Sequence, residues 1–374
     1  ELARDCLITE HAPARYGFHD LLRAYAADQA REYDSQADRD AAAGRILDHY
    51  LHTAADGAML WAVCESVTLT APALGTCPEQ PADHRQAMAW FDAEHHTLLA
   101  AVALAAESGA DRHVWQLAWA ITTHLFRRGY LHELATMMDA ALAAATRLDD
   151  PLGQAVSLRQ MGNAFTTTGQ YDHSRAYLER CLPLYQRLGD RRGEALAHLS
   201  IAILAETQGR YADALAHNEE ALLVARAISH EQAQARALAN VAWCRALLGD
   251  YQRAREFCDL ALTLLAKVGG REYHVWDTLG YIEHHLGDFA EAAAHFERAL
   301  EQSRDHGDRL TEGTIQSHAG DARHEAGEIS QAREAWQQAL AIYDDFQHPD
   351  AEKLRTKLAS TAAAQNTEDF SVLG

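Results

Sequence analysis

Between residues 38 and 67 apolar side chains fall at Ile46, Leu47, Tyr50, Leu51 and Met59, an approximately helical register against a polar background. Further along, the recurrence becomes strict. Gly129, Gly169, Gly209, Gly249, Gly287 and Gly327 are separated by 40, 40, 40, 38 and 40 residues. Two residues after each stands a large apolar side chain: Leu131, Tyr171, Tyr211, Tyr251, Phe289 and Ile329. Twelve after come Ala141, Cys181, Ala221, Ala261, Ala299 and Ala339, followed in every case by leucine. Seven before each glycine the residue is small: Thr122, Gly162, Ala202, Ala242, Gly280 and Gly320. Each glycine reads as the left-handed end of one helix, and the apolar residue after it starts the next. The small residues let the two axes approach closely. Further pairs (Gly189-Asp190, Gly269-Gly270, Gly307-Asp308) close several units. One such helix pair cannot bury its apolar face alone, so the units are expected to stack into a right-handed superhelix.

The fold class predicted is therefore all-α, with a single β-hairpin near the start. Residues 7 to 18 read as that hairpin: "LITEH", a turn at "APA", then "RYGF", with a helix from Asp20. We divide the chain into 1–34, the end of a winged-helix domain; 35–108, a helical linker; 109–346, six repeats; 347–362, a capping helix; and 363–374, a disordered tail. The linker carries a loop with Pro72, Gly75, Pro78 and Pro81, then the helical stretch "AMAWFDAEHHTLLAAVALAAESG" ending in glycine. The cap is "DAEKLRTKLA", preceded by Pro349. The chain opens on Glu1 and on the end of a domain, so a fragment of a longer protein is expected.

A net charge of −21 argues against direct contact with nucleic acid or an anionic membrane, which would repel it. The six cysteines form no C-x-x-C pair and suit reduced, small apolar positions in a cytoplasmic protein. No phosphate loop is present, and none of the three lysines lies in a glycine-rich turn. Neither H-E-x-x-H nor G-x-S-x-G occurs, so no enzyme activity is expected. Among the 22 histidines, His49-x-x-His52, His95-His96 and His284-His285 are the tempting groups; most are read as solvated helix positions, and no metal site is expected.

The repeat pattern, G-x-Y, then A, then A-L, resembles the tetratricopeptide repeat, with a spacing longer than its usual ~34 residues. Together with "RYGFHDLLRAYA", "AMAWFDAEHHTLLAAV" and "GDRRGEAL", it resembles the C-terminal half of the AfsR-type regulators of the Streptomyces antibiotic regulatory protein family. Those proteins carry a DNA-binding region, an NB-ARC nucleotide switch and then repeats. The resemblance implies a sensor and interaction module, with ATP or ADP held by an upstream domain and no cofactor on this chain. Its expected partners are the nucleotide-binding and DNA-binding regions of the parent, and a peptide or small-molecule effector. Phe18-His19-Asp20 occupies the place of the Met-His-Asp type motif, where the resemblance gives His19 a contact to the β-phosphate of ADP. The alternative class is a free-standing repeat scaffold or peptide-pheromone receptor of the Rap or PlcR kind.

In this repeat class the first helix of each pair lines the concave face, at positions ten, six and three before each glycine. The first row reads Trp119, Arg159, Leu199, Ala239, Asp277 and Ser317. The second reads Thr123, Asn163, Ile203, Trp243, Tyr281 and Asp321, and the third Phe126, Thr166, Glu206, Ala246, His284 and His324. Arg236 and Asn240 flank Trp243. Arg159, Asn163 and Asn240 are expected to fix a carboxylate or peptide backbone, and Trp243 and Tyr281 to supply apolar area. Trp119, Phe126 and Ile203 extend the apolar lining. The end bearing Asp277, His284, Asp321 and His324 suits a basic partner.

Overall fold

The computed structural model describes residues 8–12, 15–60 and 67–372. β1 (Ile8–Ala12) and β2 (Arg15–Phe18) pair antiparallel, with Ile8 opposite Phe18 and Glu10 opposite Tyr16. α1 (Asp20–Tyr33) follows and buries none of its residues; Leu21 and Tyr25 are 76% and 62% exposed. Leu7, the turn residues 13 and 14, Cys6 and Cys64 lie outside the described residues. α2 (Gln36–Met59) and α3 (His84–Glu107) form the linker and pack on the first repeat helix. The helix expected to reach Val67 ends at Met59, and residues 61–66 lie outside the described set.

Six helix pairs come next. They are α4 (Asp111–Arg128) with α5 (Leu131–Arg147), α6 (Pro151–Thr167) with α7 (Tyr171–Leu188), and α8 (Arg191–Thr207) with α9 (Tyr211–Ala227). Then come α10 (Glu231–Leu247) with α11 (Tyr251–Val268), α12 (Tyr273–Leu286) with α13 (Phe289–Asp305), and α14 (Arg309–Glu325) with α15 (Ile329–Asp345). α16 (Ala351–Val372) caps the array; the segment expected as a disordered tail from 363 continues this helix to Val372.

The six ruler glycines all take positive φ, between 72° and 84°, and so reverse the chain within each pair. A second ruler sets the turns between pairs: residues 149, 189, 229, 269, 307 and 347 are also left-handed. Three of these are glycine, and the others are Asp149, Ser229 and Gln347, at φ 50°, 52° and 50°. The backbone demand is constant, and only its chemical solution varies.

Close packing within each pair follows a size rule. The small residue of the first helix lies sixteen positions before a fully buried residue of the second, giving Thr122/Met138, Gly162/Leu178, Ala202/Asn218, Ala242/Cys258, Gly280/Phe296 and Gly320/Trp336. Where the small residue is glycine, its partner is Leu, Phe or Trp; where it is alanine, the partner is Asn or Cys. A Cβ at Gly162, Gly280 or Gly320 would stand 2.6, 2.7 or 2.4 Å from that partner's side chain. Interiors at crystal-like density leave no room for both.

The superhelix also closes on itself. Each first helix (α4, α6, α8, α10, α12, α14) touches the next, and α14 comes back to touch α4. Phe346, 1% exposed, joins the same core as Trp90, Phe91 and Trp115, against Gly129. Pro349 lies against Gly169, and Met88 against Gly307. His84 stacks on His306 with ring centroids 4.7 Å apart, Arg85 pairs with Asp305, and Arg127 donates to the carbonyl of His306. Linker, first repeat and last repeats thus form one core.

Candidate functional site

Because the first helices touch one another in sequence, their shared inner face is the wall of a closed ring. Four of them build a cluster there. Glu206 of α8 accepts from the indole N–H of Trp243 on α10 at 2.6 Å. Tyr281 of α12 meets the Trp243 ring edge-on at 4.9 Å, and the His318 ring of α14 lies 5.3 Å from it. His318 Nδ1 is 2.9 Å from Oδ1 of Asp277, which is buried. Burial pushes the Glu206 carboxyl up to about 7, partly offset by the Trp243 N–H and the His318 charge. Burial opposes protonation of His318 too, but the charge and hydrogen bond of Asp277 overcome it, so its pKa is raised. The result is an aromatic wall beside a carboxyl that is half-protonated near neutrality.

Next to it lies a pocket of about 480 Å³, lined by Tyr281, His284, His318, Asp321, His324, Trp336 and Lys357. Here the expectation of an acidic surface for a basic partner is corrected. Asp321 already accepts from Lys357 Nζ at 2.6 Å and from Trp336 Nε1 at 2.9 Å. Asp277 holds His318, and His284 Nε2 lies 3.0 Å from Glu325. The capping helix supplies the cation that a partner was expected to bring. His324 is exposed, its ring 5.3 Å from Trp336.

The other expected positions divide. Trp119, 5% exposed, is core, and Phe126 packs against the same core, because ring closure buries the first repeat's inner face. Arg159 is 7% exposed and donates to Ser200 Oγ at 3.4 Å, a buried donor rather than an open one. Asn163 donates to Gln160 at 3.5 Å, Asn240 is half-buried, and Ile203 is exposed. Arg236 is exposed on the inner face. His19 is exposed and caps α1, its Nδ1 accepting from Leu21 N at 3.4 Å. Of the histidine groups singled out above, His95 and His284 are buried, and His124, outside those groups, is 1% exposed. His124 stacks on Phe91 at 5.3 Å, and burial pushes it down to about 4. Among the described residues no three His, Cys, Asp or Glu side chains gather as a metal site.

Glu206 was legible as a row position, and His318 shares with Asn240 the register nine before a glycine. Arg271, Tyr273 and Lys357 lie outside the periodic rows, so no register marks them.

The repeats are tetratricopeptide repeats. Profiles of that description match residues 154–188, 193–267 and 272–345. Such repeats are protein-interaction modules, and the chain resembles a regulator that carries more than this region. Regulatory protein AfsR of Streptomyces griseus is 30% identical over 183 residues, 48% of this chain and 18% of that protein. The matched region is thus under a fifth of that relative's length. Among solved structures, the apo form of RapI superposes with a TM-score of 0.54 at 11% identity, covering 69% of this chain and 96% of that one. A Rap protein complexed with competence and sporulation factor gives 0.50 at 15% identity, over 67% and 76%. These two share the fold. Among the described residues no helix is long and apolar enough to cross a membrane.

Proposed function

We propose that this chain is the sensor and interaction module of a bacterial transcriptional regulator of the AfsR kind, acting in control of antibiotic or secondary-metabolite synthesis. Its role is binding rather than catalysis. The inner face receives an effector or another part of the same protein, and occupancy is passed to a nucleotide switch that holds ATP or ADP upstream. The observation that carries the reading is the cluster of Glu206, Trp243, Tyr281 and His318. It draws polar and aromatic groups from four successive repeats onto one concave wall, as ligand sites do. The partial match to AfsR supplies the regulatory context. In that setting His19 acts as a lid on ADP, and His19→Ala in the full-length regulator weakens ADP retention and raises basal activity.

The test is a transcription reporter driven by the regulator that carries this chain. Trp243→Ala is expected to abolish the effector-dependent response while the helical circular dichroism is retained. An unaltered response overturns the reading.

A further inference from the structure

The chain has 33 basic against 54 acidic residues, yet one stretch of the ring's inner wall gathers arginines from separate repeats. Arg127 comes from the end of α4, Arg159 from α6, Arg236 from α10, and Arg271 from the turn before α12. The buried Tyr273 organises them: its hydroxyl donates to Asp308 Oδ2 at 2.8 Å and accepts from Arg271 Nη1 at 3.2 Å. Asp308 is the carboxylate that Arg127, Arg236 and Arg271 share by charge; it also caps α14, accepting from Thr311 N at 3.3 Å. Burial opposes its ionisation, but Arg127, His274 and Arg271 hold it well below the usual carboxylate range. Asp308, already accepting from Tyr273 and from Thr311 N, is the carboxylate whose charge Arg236 and Arg271 share.

Arg236 is the clearest sign. Among the described residues it makes no hydrogen bond or ion pair, and it stands exposed on the inner wall. Desolvation inside the ring pushes even this guanidinium down to about 10, and the charges of Arg271 and Arg159 add to that effect. His274, in the same register one repeat on, is pushed down to about 4 by burial and by Arg271 and Arg236, so it is neutral at pH 7. Gathering like charges in a confined space is unfavourable unless an anion shares it. Guanidinium forks match phosphoryl oxygens in pairs, which ammonium groups do not.

We propose that this cluster binds the phosphoryl group of a small phosphorylated molecule, with Arg236 and Arg271 as direct partners and Arg127 and Arg159 flanking them. The proposal rests on the sensor reading above and gives its effector a chemical class. Ring closure is what assembles it, since Arg127 reaches the site while donating to the carbonyl of His306.

The probe is inorganic pyrophosphate, titrated calorimetrically into the whole chain at fixed ionic strength with EDTA present. Saturable one-to-one binding is expected, with a rise in melting temperature. Arg236→Gln should weaken it at least tenfold while leaving the melting temperature of the free protein unchanged or higher. Arg187→Gln, an exposed charge on α7, should have no effect. Non-saturable binding, no binding, or an equal loss in Arg187→Gln overturns the site. Failure here with a reporter response still sensitive to Trp243→Ala removes this site and leaves the sensor reading standing. Pyrophosphate binding alongside a silent Trp243→Ala keeps the site and removes the sensor reading.

Discussion

The indole N–H of Trp243 points at a carboxyl, Oε1 of Glu206, across 2.6 Å, and the ring of His318 stands 5.3 Å from the same indole. His318 is already committed to Asp277. The Glu206 proton therefore decides the charge of this wall. Its folded pKa, about 7, lies above the ordinary 4.5, so the stability it contributes is complete below pH 4.5 and is lost as pH rises through 7. His318, also raised, loses its contribution in the same direction. Trp243 emission is expected to titrate with a midpoint near pH 7. Glu206→Gln should abolish that titration; if the midpoint survives the substitution, the assignment to Glu206 is wrong.

His124 has the opposite sign. Its folded pKa, about 4, lies below the ordinary 6.5, so the unfolded chain takes up a proton first as the medium is acidified. Stability should fall between pH 6.5 and 4 by up to roughly 3 kcal/mol from this group, at about 1.4 kcal/mol per pH unit. Denaturant midpoints measured across that range should flatten in His124→Phe.

The left-handed turn residue Ser229 (φ 52°) occupies a position where three other turns between pairs use glycine. An L-residue there is strained, so Ser229→Gly should stabilise by about 0.5–1 kcal/mol, read as a shift in the urea midpoint. The same change at a helical position such as Ser157 should destabilise.

Gly162 faces Leu178, whose side chain would meet an added Cβ at 2.6 Å. Gly162→Ala should destabilise by about 1–3 kcal/mol. Combining it with Leu178→Cys recreates the Ala242/Cys258 solution, and the double variant should be less damaged than the sum of the singles. Strict additivity in that cycle would refute the size rule.

Phe346 seals the last repeat onto the first. Phe346→Ala should lower stability by roughly 3–5 kcal/mol in chemical denaturation, although it is the last residue of the six repeats. A loss under 1 kcal/mol would mean that closure contributes little.

The helix pairs were legible because one backbone demand recurs at nearly constant spacing, and glycine answers it openly in the register of Gly129 and Gly169. Where Asp149, Ser229 and Gln347 answer it instead, no residue type announces the turn. The inner-face rows located Glu206, Trp243, Tyr281 and Asp277 because helical register alone sets which way those side chains face. Trp119 and Phe126 were misjudged for a different reason: register says which face a residue is on, and not that another repeat will return to cover it. Nor could it show that Lys357, from the cap, would neutralise Asp321. Both outcomes depend on contacts between distant parts of the chain, which periodicity does not encode.

An open solenoid is nearly one-dimensional: each unit feels only its neighbours, and the array can fray from either end. Here Arg85 meets Asp305 across 220 residues of chain, and Arg127 meets His306 across 179. Those contacts tie the two ends together, so neither terminal repeat can peel away without opening the ring. Local fraying of a terminal repeat is thereby coupled to opening of the ring, and joining the ends carries the loop-closure entropy of the whole array.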